Sequence, residues 1–419
     1  MIAQADAAAL GPVFWGGTVA FFVLAPLARV AGWVRHALVA IPLVMLALFI
    51  LLGDWTGVRG FINWLLGPER LLFLSVMTLL LAMVYYRQWT RPWFAITLGV
   101  IFTLAYFGSA FDPNFRLIIK KADNVPITLM IFSVGFLLWL SFRQMAINDE
   151  RMEKGEPLLE AGTDDKVLVW PDLVYTELVC MVICSVFLIV WAIFLRAPLE
   201  PPANPAAVPN PSKAPWYFLG LQELLVYFDP WIAGVLLPGL IIFGLWALPY
   251  IDKNPRGNGY YTLRERPFAI FMFLFGFVVL WVVLIVLGTF LRGPNWNFFG
   301  PYEYWDPHRP AALTNVNLSE IFWINLLGRG LPTRETSGEY YYLLREAPGL
   351  IAITGYFVLT PWILRHTLFK RMYEQMGGAR YAVMMVLFTW MALVPIKMLL
   401  RWALNLKYIV AITEWFFNI

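Results

Sequence analysis

The residues whose types and spacing could do chemistry lie between Pro198 and Trp231. Prolines at 198, 201, 202, 205, 209 and 211 force a stiff, extended run that cannot satisfy its backbone inside hydrocarbon. Trp216 to Tyr227 follows with apolar residues at helical spacing, interrupted by Gln222 and Glu223. The pattern predicts a short amphipathic helix, ended by Asp229-Pro230 before the next apolar run. An aromatic-rich helix over a bundle can lid a flat hydrophobic ligand. A carboxylate set in it can take a proton if its surroundings bring its pKa near the working pH. A loop that only covers helix ends has the same pattern, so both readings stand at this point.

The histidines say what the chain does not hold. There are three: His36, His308 and His366. Two membrane b-haems need facing pairs of axial ligands on neighbouring helices, four in all. No such pairs occur. His36 and His366 stand beside Arg35 and Arg365 at expected helix ends, where polar side chains reach headgroups and water. His308 lies in a Pro-rich loop. We therefore expect no haem or metal held by this chain's own histidines. Cys180 and Cys184 share a helix face inside an apolar run, without a Cys-x-x-Cys-His attachment signal, and read as packing residues. Glu177 and Lys397 sit near span ends, where snorkelling or pairing is the default, although Glu177 could also line a second, cytoplasmic-side site.

The elements that position these residues are membrane spans. The sequence is 60% hydrophobic and only 14% charged, against roughly half and a quarter for soluble domains. Twenty Trp and eighteen Tyr suit headgroup-level belts. The fold class expected is therefore all-α, a polytopic membrane helix bundle with about ten spans of roughly 20 residues each. Candidates are residues 12–30, 37–53, 70–86, 93–109, 126–143, 173–195, 231–250, 267–291, 349–365 and 381–400. No cleavable signal peptide is expected ahead of the first, since its apolar run is flanked by Asp6 and preceded by no basic residue.

Charge in the loops gives orientation. Arg29, Arg35, Arg87, Arg91, Arg143, Arg151, Lys154, Lys253, Arg256, Arg264, Arg266, Arg365, Lys370, Arg371 and Arg380 cluster in alternate loops. The others are basic only at scattered positions such as Arg59, Arg116 and Lys120. The first set is cytoplasmic by the positive-inside rule, so both termini face the opposite, positive side. The net charge of +4 is spread along the chain, which excludes a nucleic-acid patch. Four regions follow: a five-span module at 1–150, a cytoplasmic linker at 151–166 within the charged stretch Asn148–Lys166, three spans at 167–291, and at 292–419 an aromatic loop with two further spans. The tail from Trp402 is expected to lie in the interface.

An ordered set of motifs resembles one family. Trp170-Pro171-Asp172-Leu173-Val174-Tyr175, an apolar span, Leu199-Glu200-Pro201 and Pro215-Trp216-Tyr217-Phe218 look like the C-terminal half of cytochrome b. The form they resemble best is the separate three-helix subunit IV of the cytochrome bf complex. The link Tyr250-Ile251-Asp252-Lys253-Asn254-Pro255 resembles that family's turn between its last two spans. The resemblance covers about 167–291; residues 1–150 and the C-terminal extension have no counterpart in it.

The resemblance implies a quinol-oxidation pocket on the positive side, completed by a separate haem b-bearing cytochrome b subunit. Its quinone-binding residues would be Pro215, Trp216, Tyr217, Phe218 and Leu221, with quinol or menaquinol as substrate. It implies that the family's Pro-Glu-Trp-Tyr motif takes a quinol proton on its Glu and sets its Tyr near a haem. Here Trp216 and Tyr217 match, but the motif's Glu is replaced by Pro215, with Ala214 before it. Glu223 is the leading substitute, with Glu200 and Asp229 behind it, so Tyr217 and Glu223 are the expected catalytic pair. The function implied is that of a subunit of a bacterial plasma-membrane quinol:cytochrome c oxidoreductase, inactive alone. Haem b, an iron–sulfur cluster and haem c would sit in partner chains, namely cytochrome b, Rieske-type and c-type cytochrome subunits. The aromatic stretch from Arg292 to Asp306 could seat such a partner or form a membrane belt. A non-catalytic scaffold in an electron-transfer complex is the alternative. A transporter would want charged or broken spans deep in the bilayer, and most ionisable residues here sit at span ends.

Overall fold

The computed structural model describes residues 56–162, 167–194, 202, 204–206, 208–253, 261–310 and 315–419. Spans 12–30 and 37–53, His36, Glu200 and the Asn254-Pro255 turn lie outside them. The fold is all-α: among the described residues the only strands are the two-residue β1 (Ala411–Ile412) and β2 (Phe417–Asn418), paired antiparallel. Seven described helices are long and apolar enough to cross a membrane, or eight if one bent pair counts as a span. The chain is a multi-pass membrane protein.

The bent pair is α1 (Thr56–Leu65) and α2 (Pro68–Val84), which meet at 76°. Pro68 can open a helix but cannot continue one, so the break falls at Gly67. The seven spans are α3 (Pro92–Phe111), α4 (Val125–Glu153), α5 (Val169–Phe194), α7 (Ile232–Ile251), α8 (Pro267–Leu291), α9 (Tyr341–His366) and α10 (Gly378–Leu404). Between α5 and α7 a tight turn at Trp216–Phe218 runs into the short α6 (Leu219–Leu224). Prolines at the first positions of α2, α3, α4 and α8 set where those helices begin. All eight expected spans that fall on described residues thus meet a helix.

Three local expectations change. The charged stretch from Asn148 does not start as a free linker. Its first six residues continue α4, and Asn148 and Asp149 are fully buried. Asn148 donates its amide to Glu160 at 2.9 Å and to the Tyr261 carbonyl at 2.9 Å, and Tyr86 donates to Asp149 at 2.7 Å. Arg87 forks onto Glu153 at 2.8 and 3.0 Å, and Arg264 reaches the same carboxylate at 2.9 Å. These contacts gather at one end three loops that the positive-inside count assigned to one side.

Lys397 does not snorkel: it has no accessible surface and donates to the Lys407 carbonyl at 2.7 Å. The tail does not simply lie in the interface either. Ile409, Val410 and Ala411 are buried, and the Ala411 N–H donates to Glu346 of α9 at 2.9 Å. Gly349 makes this seat possible, because a Cβ there would stand 1.9 Å from the Ile409 carbonyl oxygen.

The main core joins the residues just after α6 to α7, α8, α10 and the tail through Tyr227, Phe228, Ile232, Val279, Leu284, Val394, Met398 and Val410. A second cluster, Ile118, Ile127, Ile285, Phe290 and Leu291, receives Trp216, Trp281, Phe298 and Trp305 at its edge. By contrast, α5 buries none of its residues against the described chain.

Candidate functional site

The site grows from the contact of α6 with the end of α8. Gly288 lets the two backbones close: a Cβ there would meet the Leu219 side chain at 2.6 Å. Gly220 faces Ile285 and the Trp281 carbonyl from the other side. This contact fixes the turn carrying the aromatic residues. Trp216 and Tyr217 stand edge to face at 5.6 Å between ring centroids, and Tyr217 and Phe218 lie 4.7 Å apart. Trp216 packs into the second cluster, whereas Tyr217 and Phe218 are 46% and 51% exposed. Pro215 is exposed and Leu221 half-buried. The expected ligand-binding residues therefore form one aromatic ledge, anchored at Trp216 and open beyond it. Such a ledge can stack against a flat apolar ring.

Glu223 stands apart from the ledge, with no accessible surface. Arg292, just past α8, donates to both its oxygens, from Nε at 3.0 Å and from Nη2 at 2.6 Å. Tyr227 donates its hydroxyl to the same carboxylate at 2.8 Å. Arg292 also donates to the Trp296 carbonyl at 2.8 Å and lies over the Phe298 ring. A forked, charge-assisted pair of this kind fixes the position of both side chains. Burial works against the Arg292 charge, but Glu223 and Tyr227 outweigh it and hold the guanidinium protonated. Burial, reinforced by Glu223, raises the Tyr227 phenol well above its usual range. Tyr217 and Glu223, expected as a pair, are thus separated by burial, and a ligand's proton could reach Glu223 only by opening the pair with Arg292.

Asp229 is also engaged, accepting from Tyr408 at 3.3 Å and from Asn418 at 3.1 Å. Lys407 donates to the Leu225 and Val226 carbonyls at 3.1 and 3.3 Å, so the tail holds the end of α6.

Sequence reasoning missed Lys213. Gln222 accepts from the Ala214 N–H at 2.8 Å and donates to the Ser212 carbonyl at 2.9 Å, pinning this stretch of loop onto α6. The Lys213 ammonium donates to the Thr289 carbonyl at 2.8 Å and lies 4.7 Å above the Trp305 ring. Burial lowers its pKa to about 7, helped by Lys121 and Arg292 and opposed by Glu223. A lone lysine among prolines gives no sequence signal for such a position. Arg292 gave none either, since its partner lies 69 residues away.

His366 has Nδ1 on the Trp362 carbonyl at 2.8 Å at the end of α9, and His308 lies exposed in the loop after α8. Among the described residues no group of three or more His, Cys, Asp or Glu could hold a metal ion.

The architecture is that of a polytopic membrane bundle in which a short helix, led by an aromatic turn, is fastened to the end of one span. Residues 202–302 match the family model described as cytochrome b(C-terminal)/b6/petD. The match takes in the aromatic ledge, α6, α7, α8 and the Arg292 turn, and covers less than a quarter of the 419 residues. It agrees with the resemblance in its central part. It starts after the Trp170-Pro171 motif and α5, and runs on through Tyr302, beyond the expected limit at 291. The family is that of membrane subunits of cytochrome bc- and bf-type redox complexes. No solved structure matches the chain.

Proposed function

We propose that this chain is a membrane subunit of a quinol-oxidising complex of the cytochrome bc/bf type in a bacterial plasma membrane. It supplies the subunit IV-like half of the positive-side quinol site. The observation that carries this reading is the ledge Pro215-Trp216-Tyr217-Phe218, held on α6 by Gln222 and seated on α8 through Gly288, inside the family-matched segment. The chain positions quinol and excludes water on one side of the ring. Partner chains supply the redox groups: a cytochrome b subunit with its haems, and Rieske-type iron–sulfur and c-type cytochrome subunits. The reaction is two-electron quinol oxidation with proton release to the positive side.

The test is quinol:cytochrome c turnover of the complex purified from membranes. Trp216→Ala and Tyr217→Ala should each lower turnover or raise electron leak to oxygen. Wild-type turnover and coupling in both variants would overturn the reading. The alternative, a scaffold without a catalytic share, draws support from the missing motif Glu and from the ion pair that occupies Glu223. It predicts that both variants lower the yield of assembled complex while turnover per complex stays unchanged.

A further inference from the structure

We propose that Lys213 is the group that takes the proton from quinol at this site, in place of a carboxylate. The inference rests on the functional reading above and adds a residue to it.

Placement comes first. Lys213 belongs to the same pinned loop as the ledge, three residues before Trp216, and the two hydrogen bonds of Gln222 fix the backbone on either side of it. Its amine lies over Trp305, and Trp305 and Trp216 pack against one cluster, so the amine and the anchor of the ledge border the same group of side chains. The residue keeps some accessible surface, while its amine is largely withdrawn from water. Two neighbouring polar atoms, Thr289 Oγ1 and Trp305 Nε1, are buried without a hydrogen-bond partner, so the spot has unused polar capacity. Of the acids that sequence pointed to, the two among the described residues are committed elsewhere, Glu223 to Arg292 and Tyr227, and Asp229 to Tyr408 and Asn418.

The chemistry fits a neutral amine, which has two N–H donors and one lone pair. One N–H keeps the Thr289 carbonyl, while the lone pair accepts the quinol proton. The quinol O–H bond breaks, an N–H bond forms, and the electron leaves to a one-electron acceptor carried by a partner chain. The ammonium so formed is held by the C-terminal end of α8 and by the Trp305 face, both of which favour a cation. It then returns the proton to water on the positive side. The charged groups that bear on it are Lys121 and Arg292, which favour the neutral amine, and Glu223, which favours the ammonium. With burial added, the balance leaves a large neutral fraction near neutral pH. Arginine could not serve, because its guanidinium stays protonated.

The experiment uses the assembled complex and follows quinol oxidation across the pH range for wild type, Lys213→Met, Lys213→Arg, Trp216→Ala and Tyr217→Ala. In the wild type, kcat should rise with pH through about 7, as the amine loses its proton. Lys213→Met should lower kcat by about 100-fold and abolish that limb, with little change in KM. Lys213→Arg retains a cation for Thr289 and Trp305 and so guards against misassembly, yet it should lose activity in the same way. Wild-type turnover and pH profile in Lys213→Arg would overturn the proposal and leave the functional reading intact. Wild-type turnover in both Tyr217→Ala and Trp216→Ala would instead overturn the functional reading, and this proposal with it.

Discussion

α5 and α8 are both long and apolar enough to cross a bilayer, yet the described chain treats them in opposite ways. α8 buries Val279, Val282, Leu284, Ile285 and Leu287, and it brings Gly288 against α6. α5 contains no glycine and buries nothing. Hydropathy reports the solvent a helix tolerates. What it packs against is decided by small residues and by groups that must be satisfied, because lipid tails are as apolar as a neighbouring helix. α8 has both: a glycine contact, and an arginine at its end that needs a carboxylate.

That contrast can be broken by mutation, with stability read as reversible unfolding of the purified chain in mixed micelles. The largest loss should come at the end of α8. Arg292→Ala leaves the Glu223 carboxylate buried without its cation and should cost about 3–5 kcal/mol. Next, Leu284→Ala opens a cavity where the side chain is almost fully buried and should cost about 2–5 kcal/mol. The smallest effect should be Leu188→Ala in α5, within about 0.5 kcal/mol of wild type, because that side chain is exposed in the described chain. A loss at Leu188 as large as that at Leu284 would mean that α5 is packed after all.

The same contrast explains what could be read in advance. The bounds of α8 follow from sequence almost to the residue, since an apolar run closed by Pro267 and Arg292 has few other readings. The short helix after Pro215 was legible from its spacing, and the ledge from its resemblance. Glu223 was singled out, but its commitment to Arg292 was not, because that pairing depends on tertiary contact across 69 residues. The tail misled for a related reason. Aromatic and apolar residues look alike whether they rest in headgroups or fill a core, and only the notch at Gly349 tells the two apart. Lys397 looked like a snorkelling residue near a helix end until the tail's own carbonyl was placed over it.

The bond from Lys407 to the carbonyls at the end of α6 also sets a schedule for biogenesis. Lys407 is synthesised 182 residues after Leu225, a gap of roughly 10–40 s at the usual pace of translation. Throughout that interval the ledge has α8 to lean on but lacks its clasp from the tail. The end of α6 is therefore clasped only after α10 has left the ribosome, so this face takes its final form late in synthesis.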